Sequence, residues 1–392
     1  MKKNWETKKL GEVIKLEYGK PLPDAKRTLQ GAYPVYGANG EKGRTNEFYH
    51  NKKTVIVGRK GSAGELNLTE EKFWPLDVTY FITFDEKKYD LMFLFHLLSL
   101  LELPKLAKGV KPGINRNEVY LIDTQFPPLP EQQRIVAILD EAFASIAKAK
   151  ANAEQNLNNT KELFESYLQS VFQNKGDSWE EKCLDELGVI TSSKRIYKSE
   201  YIKEGIPFYR TKEIKELSNG KDISIELFIS KERYSDIKKS FGVPQINDLL
   251  MSAVGTIGEI MVIENDDEFY FKDGNIVWFK EFKSLDTNYL KFALIAFVEK
   301  IKSLAIGSAY SALTIEKLNK YKISFPRTLE EQQNIVQKLD ALSSETNKLE
   351  AIYQKKIEDL EELKMSILQK AFNGELVGAG LAPTLFITNK TK

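Results

Sequence analysis

Side chains that could do chemistry are thinly spread along this chain of 392 residues. Gly58-Arg59-Lys60-Gly61-Ser62-Ala63-Gly64 follows a strand-like run, and closely spaced glycines beside a lysine are one way for a loop to cradle phosphate. The loop lacks Gly-Lys-Ser/Thr, and residues 65–73 do not open a helix, so a tight turn between strands is the competing reading. Asp77 with Glu86-x-Lys88 can be forced into a nuclease-like Asp…Glu-x-Lys pattern, but such matches are common where 29% of residues are charged. The acidic run Glu264–Glu268 lacks the ordered alternation of a calcium loop, which favours a solvated hairpin tip. One cysteine, Cys183, and two histidines, His50 and His96, are too few for a Cys/His zinc site. A methyltransferase-like glycine-rich loop and an Asn/Asp-Pro-Pro-Tyr/Phe motif are both missing from the sequence. No catalytic or metal-binding residue is assigned, and the chain reads as a non-enzyme.

What the chain does carry is a repeat. Residues 129–140, LPEQQRIVAILD, return as LEEQQNIVQKLD at 329–340, with eight of twelve positions identical. The match extends outward. Trp5-Glu6 with Lys8, Leu10 and Val13-Ile14 is echoed by Trp179-Glu180 with Lys182, Leu184 and Val189-Ile190. Residues 31–36 loosely match 205–209. The run TVIVGRKGSAGELNL (54–68) pairs with DLLMSAVGTIGEIMVI (248–263) through Gly61/Gly64 and Gly255/Gly258. Apolar helical stretches at 93–101 and 289–298 complete each copy. The order is globular, helix, globular, helix, and the globular parts have diverged far more than the helices.

Both repeated helices show an apolar stripe. From Ile135 it runs through Leu139, Ala142, Ile146, Ala149, Ala153 and Leu157 to Leu163/Phe164, Tyr167/Leu168 and Val171. From Ile335 it runs through Leu339, Leu342, Leu349, Tyr353, Ile357, Leu360, Leu363, Ile367 and Ala371. Steps of three and four with charged flanks are the mark of a coiled-coil seam, and both copies break the heptad at the same place. Thr328-x-x-Glu331 has the form of a capping box, Pro130 suits a first helical turn, and Gly176 and Gly374 are candidate stops. A helix over 130–172 would be about 65 Å long at ~1.5 Å per residue, the length of a spacer.

Composition sets outer limits. The chain is too long for one ordinary core. There is no run of eighteen apolar residues and no apolar core near the N-terminus, and a lone cysteine fits a reducing compartment, so the expected location is cytoplasmic. The net charge is only +1, yet residues 1–128 carry 21 basic against 16 acidic side chains. A nucleic-acid role would therefore rest on local patches or on a partner.

Phe-Pro-Pro-Leu-Pro-Glu-Gln-Gln-Arg-Ile-Val (126–136) leading into one long helix, and Ile-Leu-Gln-Lys-Ala-Phe-Asn-Gly-Glu-Leu (367–376) closing the other, resemble the specificity subunits of type I restriction-modification systems. The resemblance covers nearly the whole chain. The second copy departs from it, with Arg327-Thr328-Leu329-Glu330 in place of the proline-rich run, which bears on the entry angle of that helix. The implied fold class is α+β: two globular mixed α/β target-recognition domains, 1–128 and 175–328, separated by long helices, 129–174 and 329–376. The helices are implied to pack as an antiparallel coiled coil within an internal pseudo-twofold repeat, leaving a tail at 377–392.

The implied function is recognition of a bipartite, asymmetric double-stranded DNA target, one half-site per domain. The implied partners are two methyltransferase subunits and the restriction/translocase subunits. S-adenosylmethionine, ATP and Mg²⁺ would belong to those partners and none to this chain. Docking and spacing would fall to Glu131, Gln132, Gln133, Ile135, Leu139, Ile146 and Leu157, and to Glu331, Gln332, Gln333, Ile335, Leu339, Leu349, Ile357 and Leu360. DNA contact would fall to loops, because base edges need bidentate donors while phosphates take cations, hydroxyls and N–H groups. The first domain offers Lys42, Arg44, Arg59, Lys60, Ser62, Lys111, Asn115 and Arg116. The second offers Lys194, Arg195, Arg210, Lys212, Thr256, Ser308, Tyr310 and Ser311. A competing reading is an adaptor whose coiled coil joins two binding domains with no DNA role.

Overall fold

Short alternating runs become strands and the long periodic runs become helices in the computed structural model, which describes residues 4–176, 178–254, 257–304 and 313–376. Two compact units result: Met1–Ala153 together with Lys355–Lys392, and Glu154–Gln354. Each unit therefore combines one globular part with a portion of both long helices, where the sequence reading had divided the chain into consecutive blocks.

In the first unit, β1 (Glu6–Lys9) leads through one helical turn, α1 (Leu10–Val13), into β2 (Ile14–Tyr18). Buried Ile14 and Leu16 alternate along β2 with Lys15 and Glu17. β3 (Tyr33–Gly37) and β4 (Gly40–Thr45) form a hairpin. Then come β5 (Val55–Gly58), β6 (Leu66–Leu68), β7 (Trp74–Pro75), β8 (Thr79–Phe84), α2 (Leu91–Leu100), α3 (Arg116–Tyr120) and β9 (Asp123–Phe126). The first long helix, α4 (Leu129–Gln173), follows. β9 returns antiparallel to β1, so the domain closes where it began. The other strands make a four-stranded antiparallel sheet, β2-β8-β5-β6, and a three-stranded sheet, β4-β3-β7, whose β3 and β7 are parallel. Val55 and Val57 join the main core with α2, whereas Ile56 packs on the other face with Tyr36, Phe73 and Phe81. A strand covered on both faces reads as an unbroken apolar run, and that is why residues 55–57 are Val-Ile-Val.

The second unit repeats this wiring. Its elements are β10 (Trp179–Cys183), α5 (Leu184–Leu187), β11 (Val189–Thr191), β12 (Ile206–Tyr209), α6 (Thr211–Ser218), β13 (Phe228–Ile229) and α7 (Lys231–Ser240). They continue with β14 (Leu249–Ser252), β15 (Ile260–Val262), β16 (Tyr270–Phe271), β17 (Ile276–Lys280), α8 (Thr287–Leu304), α9 (Ile315–Asn319) and β18 (Lys322–Pro326). The second long helix is α10 (Leu329–Phe372). β18 pairs with β10. The sheets are β11-β17-β14-β15 and β13-β12-β16, the latter with β12 and β16 parallel. Strand for strand this is the order of the first unit. The additions are α6 and α7, and an α8 of 18 residues against the 10 of α2. Residues 264–268 connect β15 to β16, which lie in different sheets, so the acidic run links two sheets where the sequence suggested a hairpin tip.

Each long helix is locked at its start by one glutamine. Gln132 is fully buried; its side-chain oxygen accepts from the Asp90 N–H at 2.9 Å, and its amide donates to the carbonyls of Lys88 at 3.0 Å and Pro127 at 2.8 Å. Gln332 is equally buried, accepts from the Asp286 N–H at 2.7 Å and donates to Ser284 at 3.1 Å and Pro326 at 2.9 Å. Asp90 and Asp286 in turn cap α2 and α8. The glutamine thus ties strand, short helix and long helix together in both copies, so this part of the repeated motif faces inward. Thr328 caps α10 through the Glu331 N–H at 3.3 Å, and Pro130 occupies the first turn of α4.

The helix seam departs from the apolar count in places. In the first unit Ile135, Leu139 and Ile146, from the start of α4, share a core with Ile367, Leu368, Ala371 and Phe372, from the end of α10. In the second, Leu168 from the end of α4 shares one with Val336 and Leu339 from the start of α10. In either unit the two helices are therefore antiparallel. Thr160 and Thr346 are buried, each donating its hydroxyl to the carbonyl four residues back, Asn156 at 2.8 Å and Leu342 at 2.9 Å. Leu349, Leu163 and Tyr167, assigned to the stripe from sequence, are exposed instead, whereas Leu157, Ile335, Ile357 and Leu360 are half-buried. A threonine methyl packs while its hydroxyl bonds to its own helix, so the seam continues through residues a polar/apolar reading skips.

Candidate nucleic-acid interface

The Gly58–Gly64 loop turns directly from β5 into β6. The Gly64 N–H donates to the Gly58 carbonyl at 2.7 Å, and Gly64 adopts φ +84° with its α-carbon against Leu103 and Pro104. A Cβ there would lie 2.4 Å from the Pro104 nitrogen, which explains the glycine. Because a strand follows, no helix N-terminus faces a phosphate, and the tight-turn reading holds. Asp77 and Glu86 are separated by the length of β8, and Glu86 pairs with Lys52 at 2.7 Å, so the nuclease-like pattern does not assemble. Cys183, Asp185 and Glu186 hold their ligand atoms within 4.8 Å of one another. That closeness comes from helix capping, since Glu186 accepts the Cys183 N–H at 2.7 Å.

At one end of the four-stranded sheet, three separate stretches of the first domain converge. The Lys60 and Lys108 backbones bridge to Gly113, the Gly61 N–H donates to Pro112 at 2.9 Å, and the Ile114 N–H donates to the Arg59 carbonyl at 3.0 Å. These bonds bring Arg59, Lys60 and Ser62 beside Lys111, Asn115 and Arg116. The tip of the β3–β4 hairpin abuts Gly58, carrying exposed Asn39 and, further along, Lys42 and Arg44. Tyr18, 45% exposed at the end of β2, lies under both arginines: the Arg59 guanidinium is 5.3 Å and that of Arg116 4.9 Å from its ring centre. Beyond β2, Lys20 sits 4.7 Å over the ring of half-exposed Tyr49, itself next to Trp74. Cations interleaved with exposed aromatic faces suit a polyanion bearing π-stacked bases.

Charge pairing separates the cations assigned from sequence into two groups. Among the described residues, Lys42, Arg59, Lys60, Lys111 and Arg116 have no carboxylate partner, whereas Arg44 is held by the carbonyls of Gly31 and Ala32 and by Glu41. Asn115 uses its side-chain oxygen to cap α3 through the Asn117 N–H. In the second domain Arg195 pairs with Asp273 at 2.7 Å and Lys212 with Glu226 at 3.1 Å. Arg210 forks onto Glu213 at 2.6 Å and Glu226 at 2.9 Å. Its pKa is raised, with the hydrogen bond to Glu213 the main cause. Burial alone would raise the Glu213 carboxyl, but the bonds from Arg210 outweigh it and hold the pKa low. Lys194 is free of carboxylates and lies 4.5 Å over exposed Phe241. Thr256, Ser308, Tyr310 and Ser311 lie outside the described residues.

Sequence reasoning missed Tyr18, Lys20, Asn39 and Phe241. The repeat contained a signal for one of them: Lys20 follows Trp5 at the spacing by which Lys194 follows Trp179, and both lysines cover an aromatic ring. By the same strand register Arg59, Lys60, Tyr18 and Arg116 correspond to Ala253, Val254, Ser192 and Ile315. The two sheet ends therefore share a frame and differ in chemistry.

Comparison with known proteins fits this organisation. The family model described as type I restriction modification DNA specificity domain matches residues 2–158 and 176–359. A putative type I restriction enzyme specificity subunit of Haemophilus influenzae is 28% identical over 356 residues, covering 88% of this chain and 89% of that protein. The EcoBI specificity subunit of Escherichia coli is 24% identical over 388 residues, covering 86% and 78%. In fold, a chain from a structural study of complex assembly and conformational transition of the type I R-M system superposes with a TM-score of 0.76 at 20% identity, covering 95% of this chain and 99% of that one. The HsdS subunit of Thermoanaerobacter tengcongensis gives 0.57 at 20% identity, covering 96% and 98%.

Proposed function

Because the chain belongs to the type I restriction-modification DNA specificity family, we propose that each of its domains reads one half of a split, asymmetric DNA target. The chain is the DNA-specificity subunit of a type I restriction-modification complex, and the adaptor reading finds no support. The observation that carries the half-site assignment is a shared frame with divergent ends. Strand order is the same in both units, yet Arg59-Lys60 stand where the second has Ala253-Val254. Two frames of one design with different edge chemistry suit two half-sites of different sequence.

In this reading the helices hold the domains at a set separation and dock two methyltransferase subunits, to which the restriction/translocase subunits attach. Catalysis belongs to those partners. The methyltransferase would bring S-adenosylmethionine and act on one adenine extruded from each half-site. The motor subunits would bring ATP and Mg²⁺. This chain's own residues supply recognition and spacing. No helix among the described residues is long and apolar enough to cross a membrane. Exchanging residues 1–128 for the recognition domain of another member should change one half-site of the methylated motif and leave the other intact; a change in both would refute modular reading.

A further inference from the structure

Within the first domain Arg59 combines three properties that no other cation assigned from sequence shares. Its backbone is pinned on both sides: its N–H donates to the Val78 carbonyl at 2.9 Å, and its carbonyl accepts from Ile114 at 3.0 Å. Its guanidinium lies against Tyr18, whose ring is in turn fixed edge-on to Tyr80 with centres 5.0 Å apart. Its Nε is buried with no hydrogen-bond partner, and no carboxylate neutralises the head. Arg116 shares the same ring but is tethered to the Leu16 carbonyl at 3.5 Å. A guanidinium lying over an aromatic ring, on a loop hydrogen-bonded on both sides and without an anion, has less rotamer freedom to lose on binding. Its paired terminal donors match the O6 and N7 acceptors of guanine; the same fork also fits a phosphate, and loss of discrimination at a single base pair distinguishes the two.

We propose that Arg59 reads a guanine in the half-site of the first domain, and that Tyr18 is the positioning residue that aims it. Arg116 and Lys60 hold the flanking phosphates. The proposal rests on the DNA-recognition reading above and adds to it one base and the residue that reads it, with its neighbours in supporting roles. The second domain has alanine, serine and isoleucine at the positions of Arg59, Tyr18 and Arg116, so this contact belongs to one half-site only.

The test uses the full chain in complex with its methyltransferase and duplexes carrying the target found by methylation mapping, each base pair of both half-sites substituted in turn. Arg59→Ala should weaken target binding roughly 5- to 150-fold and abolish discrimination at a single G·C pair of one half-site. Arg59→Gln should not restore that discrimination, because a carboxamide sets an acceptor beside its donors where guanine offers two acceptors, O6 and N7. Arg116→Ala should weaken every duplex alike and reduce the salt slope by about 1. Unchanged melting of each variant separates these effects from a loss of folding. Uniform weakening by Arg59→Ala, rescue of the guanine preference by glutamine, or a first half-site without any G·C pair would overturn the proposal. If the wild-type complex fails to prefer its split target over random DNA, the functional reading itself falls, and the assignment of Arg59 with it.

Discussion

At Arg210 the guanidinium fork is filled by Glu213 and Glu226; at Arg59 it is empty. Both arginines looked equal in sequence, because Glu226 becomes a neighbour of Arg210 only once β12 and β13 pair. The difference sets opposite expectations. Arg210→Ala leaves Glu213, 1% exposed, with only a backbone N–H on its charge, and should cost ~1–3 kcal/mol in chemical denaturation of the full chain. Adding Glu213→Gln should recover part of that loss, and an unchanged midpoint in the single variant would contradict the structural role. His96 offers a pH test at the same scale. Burial, ahead of its charged neighbours, holds its imidazole below the ordinary value, and its Nε2 lacks a hydrogen-bond partner. The unfolded chain therefore takes up the proton first as pH falls. The contribution of His96 is fully present above about pH 6.5 and is lost below it. Melting temperatures measured from about pH 7.5 to 5.5 should fall less steeply in His96→Leu than in the wild type, and equal slopes would refute this.

The repeated Glu-Gln-Gln element marks a joint whose inner glutamine is inaccessible. Gln132→Ala would strand the buried Pro127 carbonyl and remove the partners of the part-buried Asp90 N–H and Lys88 carbonyl, and Gln332→Ala would do the same to Pro326, Asp286 and Ser284. With one fully buried group stranded, either variant should lose ~1–3 kcal/mol by denaturation. Similar losses in both would show that the motif does the same job twice, and a neutral result in either would deny it. The seam can be probed in the same way. Leu339→Ala, at a fully buried position, should cost ~2–5 kcal/mol, and Leu349→Ala, 39% exposed, about 0.5 or less. The period of the long helices was readable from sequence, as were the cap at Thr328 and the first-turn proline Pro130. Which residues face inward at Thr160 and Thr346 was not, because the deciding bond is a hydroxyl to its own backbone. The strand at 55–58 was legible as apolar but not as two-faced, since the second sheet that covers Ile56 comes from residues distant in sequence.

Across the whole chain, a net charge of +1 conceals a basic first domain and cations that differ in whether a carboxylate neutralises them. The repeat announced two like units and a spacer. It could not show that each unit takes in part of both long helices, because that follows from their antiparallel packing. Divergence between the copies weakens the sequence match throughout the globular parts, and on the recognition reading proposed above it matters at Arg59 against Ala253 and Tyr18 against Ser192. On that reading, sameness is a matter of geometry and difference a matter of recognition. The most direct test is a genome-wide map of methylated adenines in a host expressing this chain with its methyltransferase, compared with the methyltransferase alone. One new motif, split by an unread spacer and asymmetric between its halves, is the predicted result. No new motif would contradict the account.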